Sequence, residues 1–568
     1  MANVIMVFTD LVAATPWLGT LLILLPILVA LYLLAFRRWS ADKTGVVAFI
    51  LGFLIAVLCF GTNPLLAGLA SIAGIIASFP ISLMVVTSIL MITYMARTGA
   101  LARITVFFKT LGSGNKAIQI MLINVGLGLF LVGLGATPLS MLPPVMLAMG
   151  FSPLVAVMLP AIGYDPLTTY ALLGIPVLVF ADAVPGSYWA SQYPGLNPLY
   201  MSGHVFSLFM PVVATGISLA MLWMAGGRKL LLNKEAFTLA VITGVTAGII
   251  CYICNLPWIG FTPLTNVFAG LAVICVMLVY SKSRGLRLVD VSVLTEKDQP
   301  ILRSMSLYRA LSPWLILIVF CFLINLVPPI YQLLFLTYTF PISIGGFTGL
   351  PNDVVITIRT RVLWNAYFWV LIATVAAILI EGYLAWRRKQ IPRFKGEIAE
   401  TLTTWGRRSW RPFISAAIFF ALAYVMLFSG SIFDSNGSWV IVPSWNMIAV
   451  LSNVTAFTFG PWYPLTAAFL GLLGGFVSGS ETSTIAMFQS YHQTTSINIG
   501  VHPLVVGASS GIGGGLASVL SPAKLQNAAA VIDAKDIEGQ VLRYAVPIAL
   551  IVTVAVAILA FFWAYFLI

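Results

Sequence analysis

Charge is what this 568-residue chain has least of: 8% of its residues are Asp, Glu, Lys or Arg and 60% are hydrophobic. An average soluble domain carries about 25% charged residues. No soluble core could hide so much apolar surface, so the composition excludes an ordinary globular enzyme and predicts an all-α polytopic membrane protein. Histidine is scarce too, with three residues, and cysteine reaches only five. No metal-ligand cluster, haem-like histidine pair, nucleotide-binding loop or nucleophile elbow can be found. ATP hydrolysis and cofactor chemistry are therefore not expected. Cys251 and Cys254 form a C-x-x-C inside an apolar span with no second pair nearby, which reads as small packing residues. The net charge of +12 does not point to nucleic acid, because the basic residues lie between apolar spans. They read as topology signals and as contacts for anionic headgroups of the lipid bilayer.

What is there is a series of apolar runs near the length of about 20 residues that a spanning helix needs. Single crossings are predicted near 16–36, 44–61, 66–96, 153–180, 205–226, 236–254, 262–280, 311–335, 362–386, 411–430, 503–526 and 544–567, with Pro80 bending the third. The first run is followed, not preceded, by charge (Arg37, Arg38), so it reads as a span and not as a cleavable signal. Arg37, Arg38, Lys43, Arg97, Arg103, Lys109, Lys116, Arg228, Lys229, Lys234, Lys535 and Arg543 all fall between crossings. So do the six Lys/Arg of the 281–310 loop and the eight of the 387–411 loop. All of these segments face the cytoplasm, and only Arg359 and Arg361 fall outside, if 117–149 and 462–499 do not cross. Both then read as re-entrant hairpins with irregular tips, and both chain termini fall outside a cell membrane. Residues 436–459 are expected along the outer interface.

Residues 150–163 and 500–513 share six of fourteen positions at an offset of 350, from Gly150/Gly500 to Gly163/Gly513. Roughly one match is expected by chance at this composition. Each copy reads as hairpin, shared segment and a helix broken near its middle, at 163–166 in the first and 509–515 in the second. The predicted organisation is an inverted-topology repeat: 1–235 (hairpin 117–149, broken helix 153–180), linking helices and a cytoplasmic loop at 236–310, and 311–568 (hairpin 462–499, broken helix 503–526). Matching interruptions in two halves are the best sequence pointer to a transporter's binding site.

Helix ends at such breaks present unpaired N–H groups and partial positive charge, which suits a carboxylate. Gly135 and Gly479 allow close approach, and Thr137, Ser480, Thr482, Ser483, Ser509 and Ser510 add hydroxyls. The competing reading of a membrane Ser or Thr is back-bonding or helix packing. Glu481 sits at the second tip, where a carboxylate at mid-bilayer costs about 2.5–3.5 kcal/mol and needs a partner or a proton. It is the candidate for proton coupling, and its alternative is a cap on the following helix. Asp165 is a second coupling candidate or a turn-former before Pro166. Lys524 either balances substrate charge or snorkels to the inner surface. His492 and His502 read as polar lining or packing.

Several stretches resemble the lactate permease family. They are GGFVSGSETSTIAMF and GASSGIGGGLASVLSPAKLQNAAAV within 476–528, LYRALSPWLILIVF at 307–320, FFALAYVMLFSG at 419–430, GFSPLVAVMLP at 150–160 and GIPVLV at 174–179. The resemblance covers nearly the whole chain in order. It implies uptake of L-lactate or glycolate by proton symport, a fold like that of the ion-transporter superfamily, no cofactor, no enzymatic activity, and a homodimer as one assembly. Gly479–Ser483 match the family's G-S-D-T-S with Glu for Asp. The first tip departs, since 132–138 lacks the family's acid, and Tyr164–Leu167 replace an N-T-A-P. Sodium coupling or a sulfur-containing anion remains open on this reading. From other classes, an anion channel or a subunit of a proton-pumping enzyme also remains open.

Overall fold

The computed structural model describes residues 14–35, 37, 39–111, 115–135, 138–163, 166–285, 289–296, 298–345, 355–433, 439–518, 520, 524–525, 528–529, 532, 534 and 537–566. Among them, ten helices are long and apolar enough to cross a membrane. Pro153–Gly163 and Thr168–Ala183 add one more if read as a single span bent by 67°. The protein is thus a multi-pass helical membrane protein.

Local chemistry sets many of the helix starts. Asn63, Asn115, Asn197, Asn233 and Asn446 each cap a helix, accepting from the N–H of Leu65, Ala117, Leu199, Ala236 and Ala449 at 2.9–3.0 Å. At Asn63 and Asn197 a proline follows, its fixed φ and missing N–H suiting the first helical position. Inside the bundle, glycine decides which helices touch. A Cβ on Gly74 would stand 2.6 Å from the carbonyl oxygen of Phe420, and one on Gly270 would stand 2.6 Å from the N of Phe130. Lys116–Gly133, which Gly270 abuts, is the most interior candidate span: 83% of its 18 residues are buried, against at most 56% elsewhere.

Several expectations need correction. The 66–96 run is two helices, Pro64–Ala77 and Phe79–Arg97, because Ser78 ends the first and Pro80 starts the second instead of bending one. The 387–411 loop is largely helical, the first part of a 37-residue helix Ile391–Leu427 whose Trp405 indole donates to the carbonyl of Val86 at 2.9 Å. Two short antiparallel ribbons, Phe340–Gly345 with Val355–Thr360 and Ser431–Phe433 with Trp439–Ile441, qualify the all-α class. Within 436–459, Met447–Phe459 packs inward, its Ser452 hydroxyl 2.8 Å from that of Thr495.

Region 117–149 is helical over Lys116–Gly133, with a π-type turn at Met121–Leu127, and resumes as Pro138–Ala148 after the turn at Leu134–Gly135. Length alone lets Lys116–Gly133 cross, so its re-entrant reading rests on sidedness. Region 462–499 is two helices, Tyr463–Ser478 and Glu481–Ile499. The break expected at 509–515 is not there: Pro503–Ser518 is one continuous helix. Its glycines permit contact instead of interruption. A Cβ on Gly471 or Gly475 would overlap the carbonyl oxygens of Ser510 and Gly514, and one on Gly513 would overlap that of Ala468. Small residues are how membrane helices bring their backbones together.

This geometry predicts opposite outcomes for two glycine substitutions. Gly475→Ala should cost about 1–3 kcal/mol through overpacking and lower the thermal midpoint of the detergent-purified protein. Gly406→Ala, in an exposed helix interior with open space around its Cβ, should leave the midpoint unchanged or raise it by up to about 1 kcal/mol equivalent.

Candidate functional site

The turn between Tyr463–Ser478 and Glu481–Ile499 is built by its own hydroxyls. Gly479 closes the first helix at φ +65°, a conformation that favours glycine. Ser480 caps the second, accepting from the N–H of Ser483 at 3.2 Å. Ser478 and Thr484 both donate to the Ser480 carbonyl, at 3.0 and 2.9 Å. Capping is therefore the work of Ser480, and the Glu481 side chain is released from it.

That side chain reaches across to the other half of the chain. The Thr169 hydroxyl donates to Glu481 Oε1 at 2.5 Å. Glu481 is buried, and its Oε2 has no hydrogen-bond partner among the described residues. The carboxyl occupies space that only glycine at position 515 leaves open, since a Cβ there would stand 2.6 Å from Oε2 and 3.5 Å from Cβ of Thr168. Lys524 lies within electrostatic reach of the carboxyl.

Thr169 belongs to a strained stretch. The 3-10 turn Thr168–Tyr170 is followed by Leu172, Leu173 and Gly174 at φ 56°, 61° and 77°. Left-handed backbone costs a non-glycine residue roughly 1–2 kcal/mol. The Tyr170 hydroxyl, donating to the Gly203 carbonyl at 2.6 Å, helps to hold the stretch. Gly135, at φ +83° in the first hairpin turn, lies against its other end: a Cβ there would overlap Cε of Met84 and come within 3.8 Å of Leu172. Residues 168–174 thus touch both hairpin turns.

The structure brings Glu481, Gly479, Ser480, Thr482 and Ser483 together at one tip and sets Gly135 near the same strained stretch. Thr137 and Asp165 lie outside the described residues. Ser483 and Ser510 are buried, and their hydroxyls have no partner among the described residues. Ser509 instead donates to the Val506 carbonyl at 2.7 Å, an ordinary helix back-bond. No group of three or more metal-ligating side chains occurs among the described residues.

Sequence reasoning missed Thr169, which carries no motif. It also missed Asn124 in the π-type turn, fully buried with Nδ2 3.5 Å from Met146 Sδ and Oδ1 unpartnered among the described residues. One usable signal was present: Glu481–Ile499 (ETSTIAMFQSYHQTTSINI) is far too polar for a lipid-facing helix.

Comparison with known proteins places these residues in a family context. The family model described as L-lactate permease matches residues 19–567. The glycolate permease of Escherichia coli (strain K12) is 25% identical over 586 residues, covering 96% of each chain. The L-lactate permease of Bacillus subtilis (strain 168) is 24% identical over 596 residues, covering 97% of each.

The Thr169–Glu481 bond has a measurable consequence. Thr169→Val strips the buried carboxyl of its donor and should destabilise the purified protein by about 1–3 kcal/mol. Thr169→Ser keeps the hydroxyl and should lose less than about half of that, read from the same thermal melts.

Proposed function

The chain belongs to the L-lactate permease family, and from that premise we propose that it is a secondary active transporter that carries a small monocarboxylate, L-lactate or glycolate, together with a proton. The observation that carries the coupling is the buried Glu481 carboxyl. One oxygen is held by Thr169 from the other half of the chain, and the second has no partner among the described residues.

The substrate carboxylate binds at the tip of the second hairpin. There the N–H groups of Glu481 and Thr482, which the Ser480 cap leaves unused, lack intrahelical acceptors and the helix end favours negative charge. Thr482, Ser483 and the Ser480 hydroxyl surround that end. An ionised Glu481 at the same tip opposes a bound anion. At about 4 Å and an effective dielectric near 20, two like charges repel by about 4 kcal/mol. A proton on Glu481 removes that repulsion, so each ligand favours binding of the other by the same factor. One proton carried with one monocarboxylate moves no net charge, so the transport cycle is electroneutral. Gly135 and the first hairpin supply the opposite wall through 168–174, and Lys524 offsets negative charge on the cytoplasmic side.

Both hairpins dip into the membrane without crossing it, from opposite faces, and the two halves form an inverted repeat with the chain ends outside. The basic residues support this sidedness. So does the polar, glycine-closed tip at Gly479–Glu481, which is tolerated at depth only when packed in protein or lining a wet cavity.

The test is uptake of labelled L-lactate and glycolate into liposomes holding the purified protein, with and without an inward proton gradient. Wild type should accumulate one or both only with the gradient, without net charge movement and equally well in sodium-free buffer. Glu481→Gln should abolish gradient-driven accumulation. Accumulation that follows a sodium gradient, or a Glu481→Gln variant that keeps full proton dependence, would refute this coupling.

A further inference from the structure

Beyond its first turn, the helix Glu481–Ile499 carries polar side-chain atoms that have no partner among the described residues. Gln489, His492, Gln493 and Ser496 are all buried. Gln489 Nε2, His492 Nε2, both amide atoms of Gln493 and Ser496 Oγ have no partner among the described residues. Helical spacing sets Glu481, Thr482, Gln489, His492, Gln493 and Ser496 within one stripe of about 120°, interrupted only by Ile485. Buried polar groups are nearly always paired, so a run of orphans on one face calls for water or a ligand.

A second, independent feature faces that stripe. Gly507, Gly511 and Gly515 recur every fourth residue on the helix Pro503–Ser518. A Cβ on Gly507 would overlap the Gln489 amide, one on Gly511 would stand 3.0 Å from the Phe206 ring and 3.1 Å from Ile485, and one on Gly515 2.6 Å from Glu481 Oε2. The pairs 489/507, 485/511 and 481/515 step in antiparallel register. The facing helix thus presents backbone without side chains along the polar stripe. At the far end of the stripe is a cavity of about 410 Å³ lined by Pro185, Leu427, Asn446, Ser490, Gln493 and Thr494. From Gln493 to Glu481 the helix rises roughly 18 Å, and from Gln493 to Gln489 roughly 6 Å.

We propose that this stripe is a hydrated access route along which water, and with it the proton, passes between the outer cavity at Gln493 and the carboxyl of Glu481. The inference rests on the reading of Glu481 as the coupling group. Gln493 opens the route, Gln489 relays across its middle, and Ile485 is its narrowest point. Of the other titratable groups near it, His492 holds the Tyr463 hydroxyl 2.5 Å from Nδ1 and leaves Nε2 on the stripe, Tyr491 donates to Thr455, and His502 Nε2 is 2.8 Å from the Tyr193 hydroxyl. Tyr170 donates to Gly203, and Lys524 lies at the inner end. Apart from that one ring nitrogen, amides and hydroxyls line the path, which is not a chain of titrating residues.

Single cysteines at 493, 489 and 487, placed in a variant lacking the five native cysteines, test the route with a small, permanently charged thiol reagent. Added to the outer face of proteoliposomes, the reagent should modify Gln493→Cys and Gln489→Cys at least tenfold faster than Met487→Cys, which is buried off the stripe. Labelling of Gln489→Cys as slow as that of Met487→Cys, or only from the cytoplasmic face, overturns the route. In uptake, Gln489→Leu should slow gradient-driven accumulation at least tenfold, and Gln489→Asn should restore it to within about threefold. Equal loss in both variants also overturns the proposal. Fast labelling with a Glu481→Gln variant that keeps full proton dependence would leave the hydrated path in place and remove Glu481 as its destination.

Discussion

The structure depends on one steric condition: the helix Pro503–Ser518 must lie against both arms of the hairpin Tyr463–Ile499 at backbone distance. Gly471, Gly475 and Gly513 permit the contact with the first arm, and Gly507, Gly511, Gly514 and Gly515 permit the contact with the second. In lipid there is no strong hydrophobic drive to press helices together, so close van der Waals packing over small residues supplies much of the association energy. A Cβ at Gly471, Gly475 or Gly513 would overlap a backbone carbonyl oxygen and force the two helices apart. The carboxyl of Glu481 sits in the space that Gly515 leaves. The contact between Glu481 and Thr169 is therefore a consequence of helix packing before it is a feature of chemistry.

That contact joins elements more than 300 residues apart in sequence. A buried carboxyl is tolerated only with donors or a proton, and here one neutral hydroxyl is the protein donor the structure shows. One donor leaves the ionised form undersatisfied, in contrast to a carboxylate held by two or three N–H groups. The left-handed turn at Leu172–Gly174 follows closely on Thr169. Backbone strain of this kind persists only where the surroundings over-determine it, and here it lies beside the turn that carries Glu481 and near Gly135.

The sequence made the membrane class, the hydroxyl-rich tip at Ser478–Ser483 and the special standing of Glu481 legible, because each is a local signal: apolar run length, a glycine-flanked polar cluster, a lone acid at depth. The partner of Glu481 was not legible. Thr169 is one of many membrane threonines, and nothing in its neighbours distinguishes a hydroxyl that bonds its own helix from one that crosses to another. Ser509 shows the converse, standing next to a glycine run and yet bonding only Val506. The helix over residues 391–410 was not legible for another reason. Residues 391–410 are too charged to read as a span, and charge density was taken as loop, whereas an amphipathic face docked through Trp405 sustains the helix.

The glycine run at 511–515 shows most plainly why one pattern carried two meanings. Glycine weakens an isolated helix by about 1 kcal/mol per residue relative to alanine, so three in a row at Gly513–Gly515 read as a break. Packing reverses the balance. Each glycine that lets a backbone carbonyl meet another helix gains dispersion and dipole contacts that an alanine would forbid, and the helix persists through the run. A break and a close crossing draw on the same property, the missing Cβ. What separates them is whether a partner helix of matching spacing exists: Gly471 and Gly475 recur at the interval at which Ser510 and Gly514 present their carbonyls. Reading that correspondence requires comparing two segments for shared period, not scoring one segment for helix propensity. The same comparison picks out Gly507, Gly511 and Gly515 against Gln489, Ile485 and Glu481, where the space left by the missing side chains is filled in part by polar groups with atoms unpartnered among the described residues.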